Sequence, residues 1–235
     1  MNTSLFSDIG SADESGFGVC GDNVYWKTVG DTLYIGGNGD MWDFDPFSET
    51  QSTICSYNME DFSKVVILDG VTSIGEYAFS ERAFSDITIS ETVKTVKSCA
   101  FFNCAIHGTL ELTDSLHTVK EWSIASDPCR IGRLCVSVNI PVLEASAFYT
   151  RLGAPKEIVL TGDLPDDITY LVKTELFEFP QHTRISYPAR WDEKESFYER
   201  IVRLLRANVL TCEGIPFEHN EKYFLDLKKA LIPTV

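Results

Sequence analysis

Val65 to Phe79 reads VVILDGVTSIGEYAF, and the rest of the chain is built on variations of it. Ile67, Val71, Ile74 and Phe79 return 22 residues later as Ile89, Val93, Val96 and Phe101. They return 23 residues further on as Leu112, Leu116, Val119 and Ile124, and 24 beyond that as Val136, Ile140, Leu143 and Phe148. A shortened fifth copy begins at Ile158 and Leu160. Apolar positions held in phase at such a period mark a solenoid, because one unit cannot bury its apolar edge alone and stacked units can.

Inside each copy the apolar residues first alternate: Val65 and Ile67, Ile87 and Ile89, Leu110 and Leu112, Leu134 and Val136, Ile158 and Leu160. A period of two is that of a strand with one face buried. Turn residues follow, Asp69-Gly70, Glu91-Thr92 and Asp114-Ser115, and then a second short apolar pair, as in Val71 and Ile74. Each copy closes on a small residue and a bulky one: Ala78-Phe79, Ala100-Phe101, Ser123-Ile124, Ala147-Phe148. The expected fold is a mainly β repeat solenoid of about five coils whose short strands pair in parallel from coil to coil.

VTSIGEYAF, the ITIS-ETVKTVKSCAF copy and the preceding CGDNVYWKTVGDTLYIGGNGDMWDF resemble the BspA-like leucine-rich repeat proteins. In that family I-x-I-P-x-x-V-x-x-I-G-x-x-A-F repeats behind an N-terminal cap of the type C-G-x-N-V-x-W. The segments Gly162-Asp163-Leu164-Pro165 and Tyr187-Pro188-Ala189 resemble its closing repeat, so the likeness runs from about Cys20 to Trp191. Ser90 and Thr113 stand where the family usually has proline, and Trp122-Ser123-Ile124 replaces the usual closing pattern, which marks the third coil as the irregular one. The resemblance implies a non-catalytic binding or adhesion module acting at a cell surface. It assigns no binding residue.

The expected organisation is a flexible N-terminus over 1–18, an N-terminal β cap and connector over 19–62, the solenoid over 63–190, and a C-terminal helical cap or appended helices over 191–235. In the cap, Val24-Tyr25-Trp26-Lys27 and Thr32-Leu33-Tyr34-Ile35 flank the turn Gly30-Asp31 and read as a β-hairpin. After Trp191 the period becomes helical. The acids of Asp192-Glu193-Lys194-Glu195 suit a first turn, Phe197, Ile201, Leu204 and Leu205 form one apolar face, and Glu199 stands at i,i+4 from Arg203. Asn208 and Gly214-Ile215-Pro216 break the run, and a second helix from about Asn220 to Leu231 groups Tyr223, Leu227, Ala230 and Leu231. These helices either seal the last coil or dock a partner.

The composition is globular, 44% hydrophobic and 23% charged, and no stretch reaches the ~20 apolar residues of a membrane span. The first 18 residues carry no Lys or Arg and no apolar run, unlike a signal peptide; the cytoplasm is therefore the alternative to the cell surface. The net charge is −15, concentrated in the first sixty residues, which argues against nucleic acid and anionic membranes as partners. Neither membrane insertion nor oligomerisation is signalled, and a monomer with a protein partner is expected.

Cofactor, metal and catalytic sites are not expected. Asp40, Asp43 and Asp45 lie close together, but their spacing is not that of an EF-hand, and a glycine-rich turn with an aromatic plug is the alternative. The seven cysteines include no Cys-x-x-Cys pair and read as reduced core thiols rather than a disulfide or zinc framework. His107, His117, His182 and His219 are scattered, and no nucleophile elbow or zinc motif accompanies them. The remaining candidate is the outward face of the strands that open each coil. It comprises two rows: Lys64, Asp86, Thr109, Arg133 and Glu157, and beside them Val66, Thr88, Glu111, Cys135 and Val159. Such a sheet is either a protein-binding face or a plain solvated one. An intracellular scaffold that docks partners through the C-terminal helices is the second functional reading.

Overall fold

A computed structural model describes residues 17–45, 62–125, 130–149, 155–177, 183–207 and 221–234. Three antiparallel strands open the chain: β1 (Phe17–Gly21), β2 (Val24–Val29) and β3 (Thr32–Gly37), followed by a short β4 (Gly39–Asp40). The hairpin expected around Gly30-Asp31 is β2–β3. Strand β1 begins at Phe17, inside the stretch expected to be flexible; residues 1–16 lie outside the described residues, as does the connector over 46–61.

Coil one holds β5 (Lys64–Ile67), β6 (Val71–Ile74) and β7 (Ala83–Phe84). Coil two repeats them as β8 (Asp86–Ile89), β9 (Thr95–Val96) and β10 (Ala105–Ile106). Coils three and four contribute β11 (Thr109–Leu112) with β12 (Thr118–Val119), and β13 (Arg133–Ser137) with β14 (Val142–Leu143). Coil five has β15 (Glu157–Thr161), with the short helix α1 (Thr169–Lys173) in place of a second strand. Then come β16 (Arg184–Pro188), a 3-10 turn over Ala189–Asp192, α2 (Phe197–Arg206), α3 (Glu221–Ala230) and β17 (Leu231–Thr234).

Two sheets form the walls. The longer runs β1-β2-β3-β5-β8 and continues as β11-β13-β15-β16-β17, with every pairing from β3 onward parallel. The shorter runs β4-β6-β9-β12-β14, all parallel. The ladder of the long sheet breaks between β8 and β11, where β7 pairs with β10 instead. Coil two is one residue longer there, between Ile106 and Thr109, and Gly108 precedes β11 as Ser85 precedes β8. A β-carbon on Gly108 would lie 2.2 Å from Asp86 Oδ1 and 2.4 Å from the Ser85 carbonyl. Gly75 is required for the same reason, since its β-carbon would meet the Trp42 carbonyl at 1.8 Å; Lys97, Lys120 and Glu144 hold that place in later coils.

The core lies between the sheets. The second apolar pairs, Val71, Ile74, Val93, Val96, Leu116, Val119, Ile140 and Leu143, are all buried, as the periodicity requires. Of the alternating residues only Ile89 is half-exposed, at the end of β8 beside the ladder break. Phe79 and Phe101 stack at 5.4 Å with their planes 8° apart, which joins the first two coils through their closing residues.

The closing turns make a further repeat. Tyr77, Cys99, Trp122 and Ser146, each just before the small-then-bulky pair, have φ of 54–56°, the left-handed region. Left-handed geometry costs a non-glycine residue about 1–2 kcal/mol. A backbone ladder offsets it: the amides of Phe79, Phe101, Ile124 and Phe148 donate to the carbonyls of Ala100, Ser123, Ala147 and Thr174 at 2.9–3.1 Å. In coil five the ladder is met by the carbonyls of Lys173 and Thr174, so Glu175, φ 65°, lies two residues beyond the corresponding place; its carboxylate accepts the Ser146 hydroxyl at 2.7 Å. The fifth copy thus takes the ladder at the end of α1, and the buried Leu176 and Phe177 follow it.

The C-terminal helices form, with three changes from expectation. First, α2 starts at Phe197 rather than Asp192. Ser196 caps it, and Asp192 Oδ1 accepts the Phe197 amide at 2.7 Å from outside the helix. Second, Arg203 pairs with Glu195, upstream of the helix, and not with Glu199. Third, Leu231 leaves α3 for β17, so the helices connect two adjacent parallel strands. Phe197, Ile201 and Leu205 are buried, with Leu204 partly so, and Phe197 packs against Phe177, Tyr187 and Trp191. The expected breaks at Asn208 and Gly214-Ile215-Pro216 lie outside the described residues.

Candidate recognition face

Alternation along the strands sends every second side chain away from the core, and the register aligns those side chains across the sheet. Lys64 stands beside Asp86 and Val66 beside Thr88. Thr109, Arg133 and Glu157 are consecutive partners, as are Glu111, Cys135 and Val159. All ten candidates therefore fall in two outward rows, half-exposed or exposed, interrupted only at the β8/β11 step. The rows also reach residues outside the candidate set. Arg184 follows Glu157, Ser186 and Ile232 follow Val159, and Thr32 and Tyr34 precede Lys64 and Val66.

The first row mixes both signs of charge. Lys64, Asp86, Arg133, Glu157 and Arg184 alternate in sign; Lys64 Nζ lies 3.5 Å from Asp31, and Arg133 Nε lies 3.3 Å from Glu157. Exposed pairs of this kind contribute about 0–1 kcal/mol each, so their effect is on the field of the face rather than on stability. Asp31 is held below the ordinary carboxylate range first by the Ser63 hydroxyl, then by Thr32 and Lys64. The second row is mostly apolar or uncharged. Burial pushes the Cys135 thiol up, and Arg133 pulls it partly back. At ~4.8 Å per strand, Lys64 to Arg184 spans roughly 24 Å.

Elsewhere the acidic stretch is tied into the coils. Thr72 Oγ1 donates to Asp40 at 2.6 Å, and that bond is the main cause of a lowered Asp40 pKa. Asp43 accepts the Glu76 amide at 3.0 Å and Lys97 Nζ at 2.7 Å, while Met41 and Phe44 are buried, the aromatic-plug arrangement. Cys20, Cys99, Cys104 and Cys135 are free thiols; Cys55, Cys129 and Cys212 lie outside the described residues. Burial pushes Cys20 up to about 12, so it carries no thiolate chemistry near neutral pH. His107 and His117 are exposed on different turns, and His182 and His219 lie outside the described residues. No helix among the described residues is long and apolar enough to cross a membrane.

The arrangement offers a long outward sheet with side chains in fixed register, a geometry for recognition by many weak contacts. A leucine-rich repeat protein of Eubacterium ventriosum, known from a crystal structure, is similar at 19% identity and a TM-score of 0.45. The match covers 75% of this chain and 45% of that one, so the chain spans less than half the length of that relative. No curated protein matches. The family model described as BspA type Leucine rich repeat region (6 copies) matches residues 51–171, which hold the first four coils and the opening of the fifth. With the repeat, its register and that match together, the chain belongs to the BspA-type leucine-rich repeat family.

Proposed function

We propose that this chain is a non-catalytic protein-recognition module that binds a partner protein through the outward face of its long sheet, in an adhesive role at a cell surface. One observation supports the reading: across its two rows the face sets Lys64, Arg133 and Arg184 against Asp86, Glu111 and Glu157 and is neutral on a chain of net charge −15. Protein interfaces are depleted of charge at their cores and use polar rims. A neutral, half-apolar strip edged by alternating charges has that composition, and stacked repeats commonly bind through such extended faces. The scaffold alternative, with the helices as docking element, has less support. The faces of α2 and α3 that carry Phe197, Ile201, Leu205, Phe224 and Leu227 are already occupied.

The test compares affinity capture on the wild-type chain with capture on Val66→Glu/Val159→Glu. Both valines are half-exposed in the second row, so the variant should fold while placing charge where the partner would bury area. Proteins retained by the wild type and lost by the variant are the expected result. Identical retained sets would reject the sheet face.

A further inference from the structure

The closing turns present a second surface, on a different edge from the long sheet. Because the left-handed residue of each turn projects from the same place in every coil, Tyr77, Cys99 and Trp122 follow one another in a column. Trp122 is 44% exposed and Tyr77 is half-buried, while Cys99 between them is 4% exposed, so the column runs ring, recess, ring. Each ring is backed by one from the next coil: Phe102 lies edge-on to Tyr77 at 6.3 Å, and Tyr149 lies against Trp122 at 6.5 Å. An exposed tryptophan braced in this way is a preorganised contact surface, since little side-chain freedom is left to lose.

The carboxylates nearest the two rings repeat from coil one to coil three, with Lys120 close enough to feel both. Glu76 and Glu121 immediately precede Tyr77 and Trp122, and the fields of both reach the Cys99 thiol between them. The neighbouring ammonium groups are committed elsewhere: Lys97 to Asp43 at 2.7 Å and Lys120 to Glu144 at 2.8 Å. Neither Glu76 nor Glu121 has an ion-pair partner among the described residues.

We propose that this edge is a second binding surface, taking an arginine-bearing segment of a partner protein against the Trp122 and Tyr77 rings and the Glu76 and Glu121 carboxylates. Arginine fits better than lysine because its planar guanidinium stacks on a ring while its fork donates to a carboxylate. Two carboxylates about two coil steps apart, roughly 10 Å, match basic residues spaced along one extended segment. The surface is independent of the long-sheet reading and stands or falls separately.

The test is titration calorimetry of the full chain with a hexa-arginine peptide at fixed ionic strength. Trp122→Ser and Glu76→Gln/Glu121→Gln should each weaken binding at least tenfold. Asp114→Asn/Asp166→Asn, which removes two exposed carboxylates on other turns, should change it no more than twofold. Hexa-lysine should bind several-fold more weakly than hexa-arginine. The near-isosteric Glu76→Gln/Glu121→Gln variant keeps the test valid should Trp122→Ser fail to fold. Equal weakening in the Asp114/Asp166 variant would assign binding to the general negative field of the chain and overturn the proposal. An unchanged affinity in the Glu76/Glu121 variant, or hexa-lysine binding as tightly as hexa-arginine, would overturn it too.

Discussion

Phe101→Ala tests how the coils are joined. The ring is 1% exposed and stacks on Phe79 at 5.4 Å, and the Phe101 amide donates to Ser123 in the next coil at 2.9 Å. Truncation leaves that amide bond in place and removes only the ring. The lost transfer free energy is roughly 1.5–3 kcal/mol, and the lost aromatic pair adds about 0.5–1.5 kcal/mol. The unfilled space raises the total into the ~3–5 kcal/mol range seen for buried phenylalanine. In a chain of this size each kcal/mol moves the midpoint by about 2–4 °C, so the expected fall is roughly 6–20 °C. Because a coil touches only its neighbours, a gap between coils one and two should also broaden the transition. The assay is thermal unfolding followed by circular dichroism and calorimetry, with the exposed Thr88→Ala as a control that stays within about 2 °C. A Phe101→Ala midpoint within the same ~2 °C of the wild type would refute the placement of that ring between coils.

Three further outcomes follow from the same contacts. Burial alone would raise Glu144, but Lys120 and the Glu121 amide outweigh it and lower its pKa from 4.5. That contribution is complete above the unfolded value and is lost as pH falls through the folded one. Glu144→Gln should therefore lower the midpoint at pH 7 slightly and converge with wild type only as the pH is taken down through the lowered folded value, whereas a difference constant into strong acid would contradict the pairing. Removing 192–235 strips α2, α3 and β17 from Phe177, Tyr187 and Trp191, so the truncated chain should self-associate on size exclusion; a stable monomer would deny the helices a sealing role. At Glu81, φ 60°, Val should cost about 1–2 kcal/mol because a β-branched residue is strained there, while Gly should be near neutral; equal melting of the two would place the residue outside the left-handed region.

The alternation of Val65 and Ile67 and the 22–24 residue return of Val71, Ile74 and Phe79 were enough to read the coils, since burial of one face is recorded in every copy. The two outward rows followed from the same period. What the sequence left obscure has local causes. Strand β17 is four residues long, ends in Pro233-Thr234, and directly follows a helix whose apolar stripe Leu231 continues, so no period announces it. The close of the fifth copy was hidden because α1 replaces a strand and because the ladder there falls on Lys173 and Thr174, with no small-then-bulky pair to mark it. The ring column was missed because Tyr77 and Trp122 belong to the strand-free part of the coil, where side-chain direction depends on a positive φ that no residue type here signals.

Hydroxyl-radical footprinting of the full chain, alone and bound to the protein it retains on capture, tests the central claim most directly. Tyr34 and Cys135 are reactive side chains in the second outward row of the long sheet, and Leu225, 58% exposed on α3, is an internal reference. Binding through the sheet should protect Tyr34 and Cys135 several-fold and leave Leu225 unchanged. Protection of Leu225 with Tyr34 and Cys135 unaltered would contradict the account and assign recognition to the C-terminal helices.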